Sequence, residues 1–295
     1  MFKKLIALFI IIVGCFFIYT NDLFSIDNYH KNITIPEDNQ YKLDLQFLYV
    51  QNTNDFIPTN KKELLNIYYT IINSGWDSFT FYCSKEYKDC IKDVKDISID
   101  DYQLSHSNSF VHPYNSYETL YTTYYPSGKV NIEVSRYYNE EKIIKINKEI
   151  DNLFMKLVDP KKDISLNIEK IHDYLILNTE YDILKIKDIN DKTYQSHNAY
   201  GTLFEGYAVC SGYTDTMSLF LYKLNIPNIK IATENHVWNL IYLNNKWLHL
   251  DLTWDNPLDK VKILQHSYFL IDTLTLNERE TLDHKFDLTI YKEAK

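Results

Sequence analysis

The sequence predicts an α+β protein, and three observations carry that prediction. Tyr117–Tyr125 and Lys129–Tyr137 are Tyr-, Thr- and Val-rich runs joined by Pro126-Ser127-Gly128, which is a hairpin pattern. Ile143, Ile146, Ile150, Leu153, Phe154 and Leu157 form one helical stripe, and Ile164, Ile168, Ile171 and Leu175 form a second. A third helical pattern begins at Cys210 and is followed by two alternating, strand-like runs between His236 and Thr253.

In chain order, Lys3 and Lys4 precede an apolar run from Leu5 to Tyr19. Fifteen helical residues reach about 22 Å, short of a hydrocarbon core of about 30 Å; snorkelling lysines extend the reach. Residues 1–20 are therefore expected to be an uncleaved membrane anchor or a signal segment. Ile12-Val13-Gly14-Cys15 resembles a bacterial lipoprotein signal, so acylation at Cys15 is the second route and secretion after cleavage the third. The lysines orient the N-terminus to the cytoplasm and the rest of the chain outside it.

Residues 21–40 are polar and read as a linker. Leu64, Tyr68, Ile71 and Ile72 have helical spacing over 61–73, with Asn73-Ser74-Gly75 as the stop. Asp77 to Cys83 alternates like a strand, and the hairpin completes a small α+β region over 41–140. Asp159-Pro160 breaks the next helix, and Asp163 is placed to cap the one after it. Residues 141–295 form the second domain.

Lys and Arg number 31 against 40 Asp and Glu, a net charge of −9, which excludes the basic face that nucleic acid requires. Four cysteines are too few to staple 295 residues, and no Cys-x-x-Cys pair exists. Outside the cytoplasm Cys83 and Cys90 are either a disulfide or two unpaired thiols. His172, His197, His249, His266 and His284 are scattered and no His-Glu-x-x-His occurs, so no metal is expected.

Half of the six glycines, Gly201, Gly206 and Gly212, fall within twelve residues, and three of the four tryptophans, Trp238, Trp247 and Trp254, within seventeen. Glycine concentrates where backbones approach closely, so the chemistry is sought here. Cys210 opens a helix, where peptide dipoles favour a thiolate and backbone N–H groups face an oxyanion. His236–Leu243 and Lys246–Thr253 flank a two-residue turn at Asn244-Asn245, pairing Leu243 with Lys246 and His236 with Thr253. Alternation puts Val237, Ile241, Leu243, Leu248, Leu250 and Leu252 on one face, and His236, Trp238, Trp247, His249 and Asp251 on the other. His236 and Asp251 are then diagonal neighbours, roughly 7–8 Å apart by backbone, within reach of a side-chain hydrogen bond. Each residue alone has an ordinary structural role. Cysteine, histidine and aspartate in this order make a set of nucleophile, base and orienter.

Val209-Cys210-Ser211-Gly212-Tyr213, His236-Val237-Trp238-Asn239 and Asp251-Leu252-Thr253-Trp254-Asp255 resemble the transglutaminase-like superfamily. Ile171-His172-Asp173-Tyr174, with Asn178, Tyr181 and Asp182, resembles its preceding helix, and Tyr268-Phe269-Leu270 a downstream strand. The resemblance covers about residues 165–290. It implies a papain-like fold, a cysteine-bearing helix on an antiparallel sheet, with Cys210 as nucleophile, His236 as general base and Asp251 as orienter. It implies acyl transfer at peptide or protein amides without a cofactor. Hydrolysis by a peptidase or amidase is favoured over crosslinking, because water is abundant unless an amine is held in a dry cleft. A non-catalytic cell-surface binding or scaffold module on the same fold is the alternative. Tyr200, Tyr213, Trp238 and Trp254 are expected to line a substrate cleft. The glutamine that papain-type enzymes carry shortly before the cysteine is replaced by Phe204, leaving Gln195 and Tyr200 as side-chain candidates and the Cys210 N–H as main oxyanion donor.

Overall fold

The computed structural model describes residues 33–99, 101–256, 264–279 and 282–295. The anchor segment 1–20 and linker residues 21–32 lie outside the described residues. Among the described residues, no helix is long and apolar enough to cross a membrane.

The N-terminal region is built on helix α1 (Lys61–Asn73). Asn60 caps it by accepting from the Glu63 N–H, and the chain turns away at Gly75, whose φ of +74° suits glycine. Strand β1 (Ser78–Tyr82) follows, then helices α2 (Cys90–Ile99) and α3 (Asp101–Ser107), then β2 (Tyr117–Tyr124) and β3 (Lys129–Arg136). The strands form an antiparallel sheet in the order β1-β3-β2. The hairpin turn closes through Gly128 N–H donating to Tyr125 C=O. Leu64, Ile67, Tyr68 and Ile71 of α1 pack with Phe79, Phe81, Val130 and Ile132 of the sheet and with Val94 and Ile97 of α2. Cys83 and Cys90 are joined as a disulfide at the edge of this core. Helices α2 and α3 have no counterpart among the sequence expectations.

Helices α4 (Glu140–Leu157) and α5 (Ile164–Asn178) carry the two expected stripes, and Asp163 caps α5 by accepting from Ser165 N–H. Short strand β4 (Glu180–Tyr181) and helix α6 (Ile183–Lys187) lead toward a single π-type turn at Gly201–Glu205. Strand β5 (Tyr207–Ala208) pairs in parallel with β4 and delivers the chain to helix α7 (Cys210–Lys223). Strands β6 (Asn228–Ala232), β7 (Val237–Leu243), β8 (Lys246–Leu250) and β9 (Phe269–Ile271) form an antiparallel sheet in chain order. Helices α8 (Leu252–Asp255) and α9 (Thr273–Glu278) flank β9.

Helix α7 is buried almost throughout, from Gly212 to Leu221. One face of the four-stranded sheet, with Ile241, Leu243 and Leu250, packs on Met217, Phe220 and Leu221 of α7 and on the α4 and α5 stripes. The other face, with Ile229, Ile231, Trp238 and Leu240, packs on Phe47, Tyr69, Ile72 and Phe110 of the N-terminal region and on Tyr291. The sheet is thus sealed on both sides, and the two regions share a core.

The β7–β8 register pairs Leu243 with Lys246 and Asn239 with Leu250, and both turn asparagines have positive φ, 51° and 63°. The second strand ends earlier than the expected Thr253. After Leu250 the Asp251 carboxylate accepts the N–H groups of Thr253 and Trp254, which starts α8 and ends the pairing. No His236–Thr253 pair forms.

Candidate active site

Three local features set Cys210 in place. Val209 N–H donates to Ser196 C=O, tying the loop before the helix to its start. A side chain at Gly212 would put its Cβ 2.3 Å from Ser196 O, and one at Gly201 would put it 2.3 Å from Gln195 O. Those two glycines let the 195–201 segment lie against the head of α7. The Thr214 hydroxyl bonds both Cys210 C=O, at 2.8 Å, and Val237 C=O, at 3.0 Å, stitching the first turn of α7 to β7 beside His236. Asn239 adds a donor to Thr214 C=O. Cys210 is half-buried and not in a disulfide.

His236 sits just before β7, held by the bond from Thr233 N–H to His236 C=O. His236 Nε2–H donates to Asp251 Oδ2 at 2.6 Å, and both residues are buried. The Cys210 thiol is the other partner of this imidazole. Burial alone lowers the proton affinity of His236. The Asp251 charge and hydrogen bond, then the Cys210 thiol, more than offset this and push its pKa up from 6.5 to about 10. Burial likewise raises Asp251, but the charge and hydrogen bonds of His236, then of His284, hold its carboxyl well below the usual carboxylate range. The site is therefore poised as an imidazolium on a fixed carboxylate.

Asp251 is saturated. Oδ1 accepts Thr253 N–H and Trp254 N–H at 2.9 and 3.2 Å, and Oδ2 accepts a second imidazole, His284 Nε2, at 2.9 Å. Sequence reasoning missed His284, since a histidine thirty-three residues beyond its partner leaves no periodic signal. Its ring stacks on Tyr268 at 4.9 Å and meets Trp238 and Trp254 edge-on or tilted at 4.9 Å.

Of the four expected cleft residues, two are not cleft residues. Tyr213 and Trp238 are each 1% exposed. Tyr213 donates to Thr179 C=O and Trp238 Nε1–H donates to His249 Nδ1, so both brace the site from within. Alternation puts Trp238 on the same face as His236, and the second core covers that face. Trp254 and Tyr200 remain half-buried, Trp254 edge-on to His236 at 6.4 Å and Tyr200 against Phe204 at 4.9 Å. Of the candidate oxyanion groups, Gln195 Nε2 is bonded to Glu205. The phenol beside the cysteine is instead Tyr181, on β4. Burial and then the adjacent Cys210 charge hold it well above its ordinary value, and the Cys210 backbone N–H faces it. It stays an O–H group at neutral pH.

Asp255 serves the frame. Its Oδ1 accepts Tyr268 N–H and its Oδ2 accepts His172 Nε2–H at 3.2 Å, both residues of the pair being fully buried. His172 also bonds Asp173, which accepts His266. Two groups among the described residues thus bring metal-ligand atoms within 4.8 Å of one another: His172, Asp173 and His266, and His236, Asp251 and His284. Sequence distance hides both groupings. In each, the ligand atoms already bond one another.

Residues 152–252 match the family model of the transglutaminase-like superfamily. No curated protein matches the chain. Five chains of solved structures do. One is described as a TGase: 14% identity, 52% of this chain and 48% of that one covered, TM-score 0.37. Another is a candidate cysteine protease from Cytophaga hutchinsonii: 17% identity, 50% and 65% covered, TM-score 0.29. The chain spans about half the length of the first of these.

Proposed function

We propose, taking as premise that residues 152–252 are a transglutaminase-like domain, that this chain is a thiol acyl-transfer enzyme acting on peptide or protein amides. Cys210 is its nucleophile, His236 its base and Asp251 its orienter. The observation that carries the reading is the 2.6 Å bond from His236 to Asp251 on one side of an imidazole whose other partner is a thiol at a helix start.

In this mechanism the Cys210 proton already rests on His236 as a thiolate–imidazolium pair, and the Asp251 carboxylate stabilises the imidazolium. The thiolate attacks the amide carbonyl. The oxyanion that forms is met by the Cys210 N–H, which leaves the Tyr181 phenol oxygen to reach it, and by the Tyr181 O–H. His236 returns its proton to the leaving amine as the C–N bond breaks, leaving a thioester on Cys210. A water molecule, losing a proton to His236, attacks the thioester, and the acid departs as the thiolate–imidazolium pair is restored. An amine in place of that water yields a crosslink or exchanged amide. We favour hydrolysis, since water is abundant at an acyl-enzyme unless an amine is held in a dry cleft.

We further propose that residues 1–20 tether the enzyme to the membrane, with the folded region outside the cytoplasm. The lysine pair ahead of the apolar run supports this orientation. The Cys83–Cys90 disulfide suits an oxidising compartment.

The test is mass spectrometry of the protein quenched during turnover of a glutaminyl and an asparaginyl peptide panel, with and without a primary amine. The expected result is a thioester on the Cys210 peptide and release of the free acid even with amine present. Amine incorporation as the main product converts the reading to transamidation. No adduct with any peptide amide returns the chain to a non-catalytic binding module.

A further inference from the structure

The Asp251 carboxylate has more partners than a bond to one imidazole needs. A carboxylate offers about four lone-pair sites. Asp251 meets them with the N–H groups of Thr253 and Trp254 on Oδ1, and with two imidazoles, His236 and His284, on Oδ2. His284 Nε2 lies 2.9 Å from the same oxygen that His236 uses at 2.6 Å. A carboxylate oxygen only accepts, so His284 Nε2 carries a proton and donates. His284 lies outside residues 152–252, the segment that matches the family model.

The ring that makes this bond is itself held. It is buried, Tyr268 stacks on it at 4.9 Å with 16° between the planes, and Trp254 and Trp238 approach it at 4.9 Å each. It also meets the His236 ring edge-on, at 5.4 Å and 89°. The titratable and charged groups around it are Asp251, His236 and His249, with Asp283 next in the chain and Arg279 over the Tyr268 ring at 4.8 Å. His249 is pushed down to about 3 by burial first and by His284 next, so it stays neutral.

The backbone on either side of His284 is anchored as well. The Thr233 hydroxyl donates to Asp283 C=O at 3.1 Å and accepts His236 N–H at 3.2 Å, so one side chain fixes the backbone beside both histidines. The Tyr291 hydroxyl accepts Ala232 N–H at 2.9 Å and shares bonds with His106 Nδ1 and Ser109 Oγ of the N-terminal region, at 2.7 and 2.8 Å. Turning the Asp251 carboxylate would break four charge-assisted bonds at once. Without His284, a buried acceptor site is left unfilled and space opens beside both the carboxylate and the His236 ring.

We propose, resting on the acyl-transfer reading above, that His284 is a positioning residue of the active site: its N–H fixes Asp251 Oδ2 and thereby holds His236 as the partner of Cys210. The C-terminal segment then supplies a fourth residue to the site, and the N-terminal region braces that segment through Tyr291.

The test uses the full chain and reads iodoacetamide labelling of the Cys210 peptide between pH 5 and 9. The proteins are wild type, His236→Ala, His284→Leu, His284→Met, His284→Gln and Val94→Ala. Leu and Met fill the space without a donor, whereas Gln keeps an N–H near the place of the imidazole Nε2. Val94 is buried in the separate core of the N-terminal region, and its variant controls for lost stability, followed by urea melts. The expected result at pH 6 is labelling roughly fivefold or more slower in His284→Leu and His284→Met than in wild type, with the rates converging at pH 9, above the ordinary thiol pKa of about 8.5. His284→Gln should recover most of the wild-type rate, and Val94→Ala should keep the wild-type profile. Wild-type profiles in the Leu and Met variants, with labelling still dependent on His236, overturn the positioning role and leave the acyl-transfer reading standing. Equal slowing in the Leu, Met and Gln variants, or the same slowing in Val94→Ala, also overturns it, because lost packing or stability then accounts for the effect. Labelling that does not depend on His236 overturns the acyl-transfer reading and this role with it.

Discussion

Asp251→Asn removes one charge and keeps the shape of the side chain. The carboxamide oxygen can still accept Thr253 N–H and Trp254 N–H, so α8 keeps its cap. The amide nitrogen then faces two imidazole N–H donors, His236 and His284, with a donor of its own. His236 loses its main source of positive-charge stabilisation while its burial penalty stays. At about 1.4 kcal/mol for each tenfold change in proton affinity, its rise from 6.5 to about 10 represents several kcal/mol. In the variant the imidazole should titrate below 6.5. Turnover should fall by about 10⁴-fold, the size of loss seen when a triad carboxylate is neutralised in a serine protease. Stability responds with a defined sign. His236 has a raised folded value, so its contribution is complete below about pH 6.5 and vanishes as pH climbs through about 10. Asp251 has a lowered one, so its contribution is present above about 3.8 and lost as pH falls through the lowered value. Wild-type stability should therefore decline from pH 7 to 10, and Asp251→Asn should flatten that slope. The assay is a histidine-detected NMR titration alongside urea melts across pH. A wild-type His236 that titrates near 6.5, or one unmoved by Asp251→Asn, refutes the reasoning.

Three further perturbations test the surrounding frame. Tyr181→Phe should lower kcat by about 10²-fold while iodoacetamide labels Cys210 at the wild-type rate, because the phenol acts on the oxyanion and not on the thiol; equal losses in both would assign it to the thiol instead. His284→Leu leaves Asp251 Oδ2 with one partner fewer in a buried site, and urea melts should show a loss of about 1–3 kcal/mol. Gly212→Ala drives a Cβ to 2.3 Å from Ser196 O and should destabilise by about 1–3 kcal/mol; an unchanged melting curve would mean the loop before α7 is not pressed against it.

What the sequence disclosed follows from which interactions are local. Helix α1 and helices α4 and α5 were legible because their stripes and caps lie within one element: Asn60 and Asp163 act on their own first turns. The β7–β8 register was legible because Asn244-Asn245 fixes it, and the His236–Asp251 bond lies just past its last pair, Asn239 with Leu250. The premature end of β8 was not, because an aspartate reads alike as strand end or helix cap until its side chain is seen to bind the N–H groups ahead of it. Trp238 was misassigned for a different reason. Periodicity separates two faces of a strand but cannot say that a distant segment, here Phe47 and Phe110, will cover the second face. His284 reaches the site from an element with no pattern linking it there, and Tyr181, though part of the resemblance, has a place beside the thiol that only the folded arrangement reveals.

The most direct test of the thiol–imidazole pair is the rate of iodoacetamide labelling at Cys210 between pH 5 and 9, read on the Cys210 peptide, in wild type and in His236→Ala. Cys83 and Cys90, being joined, should not label. An ordinary free thiol has a pKa near 8.5 and labels slowly below neutral pH. The account predicts that wild-type Cys210 labels rapidly down to pH 6 and that His236→Ala slows this at least tenfold. Slow labelling below neutral pH in both proteins, at the same rate, would contradict it.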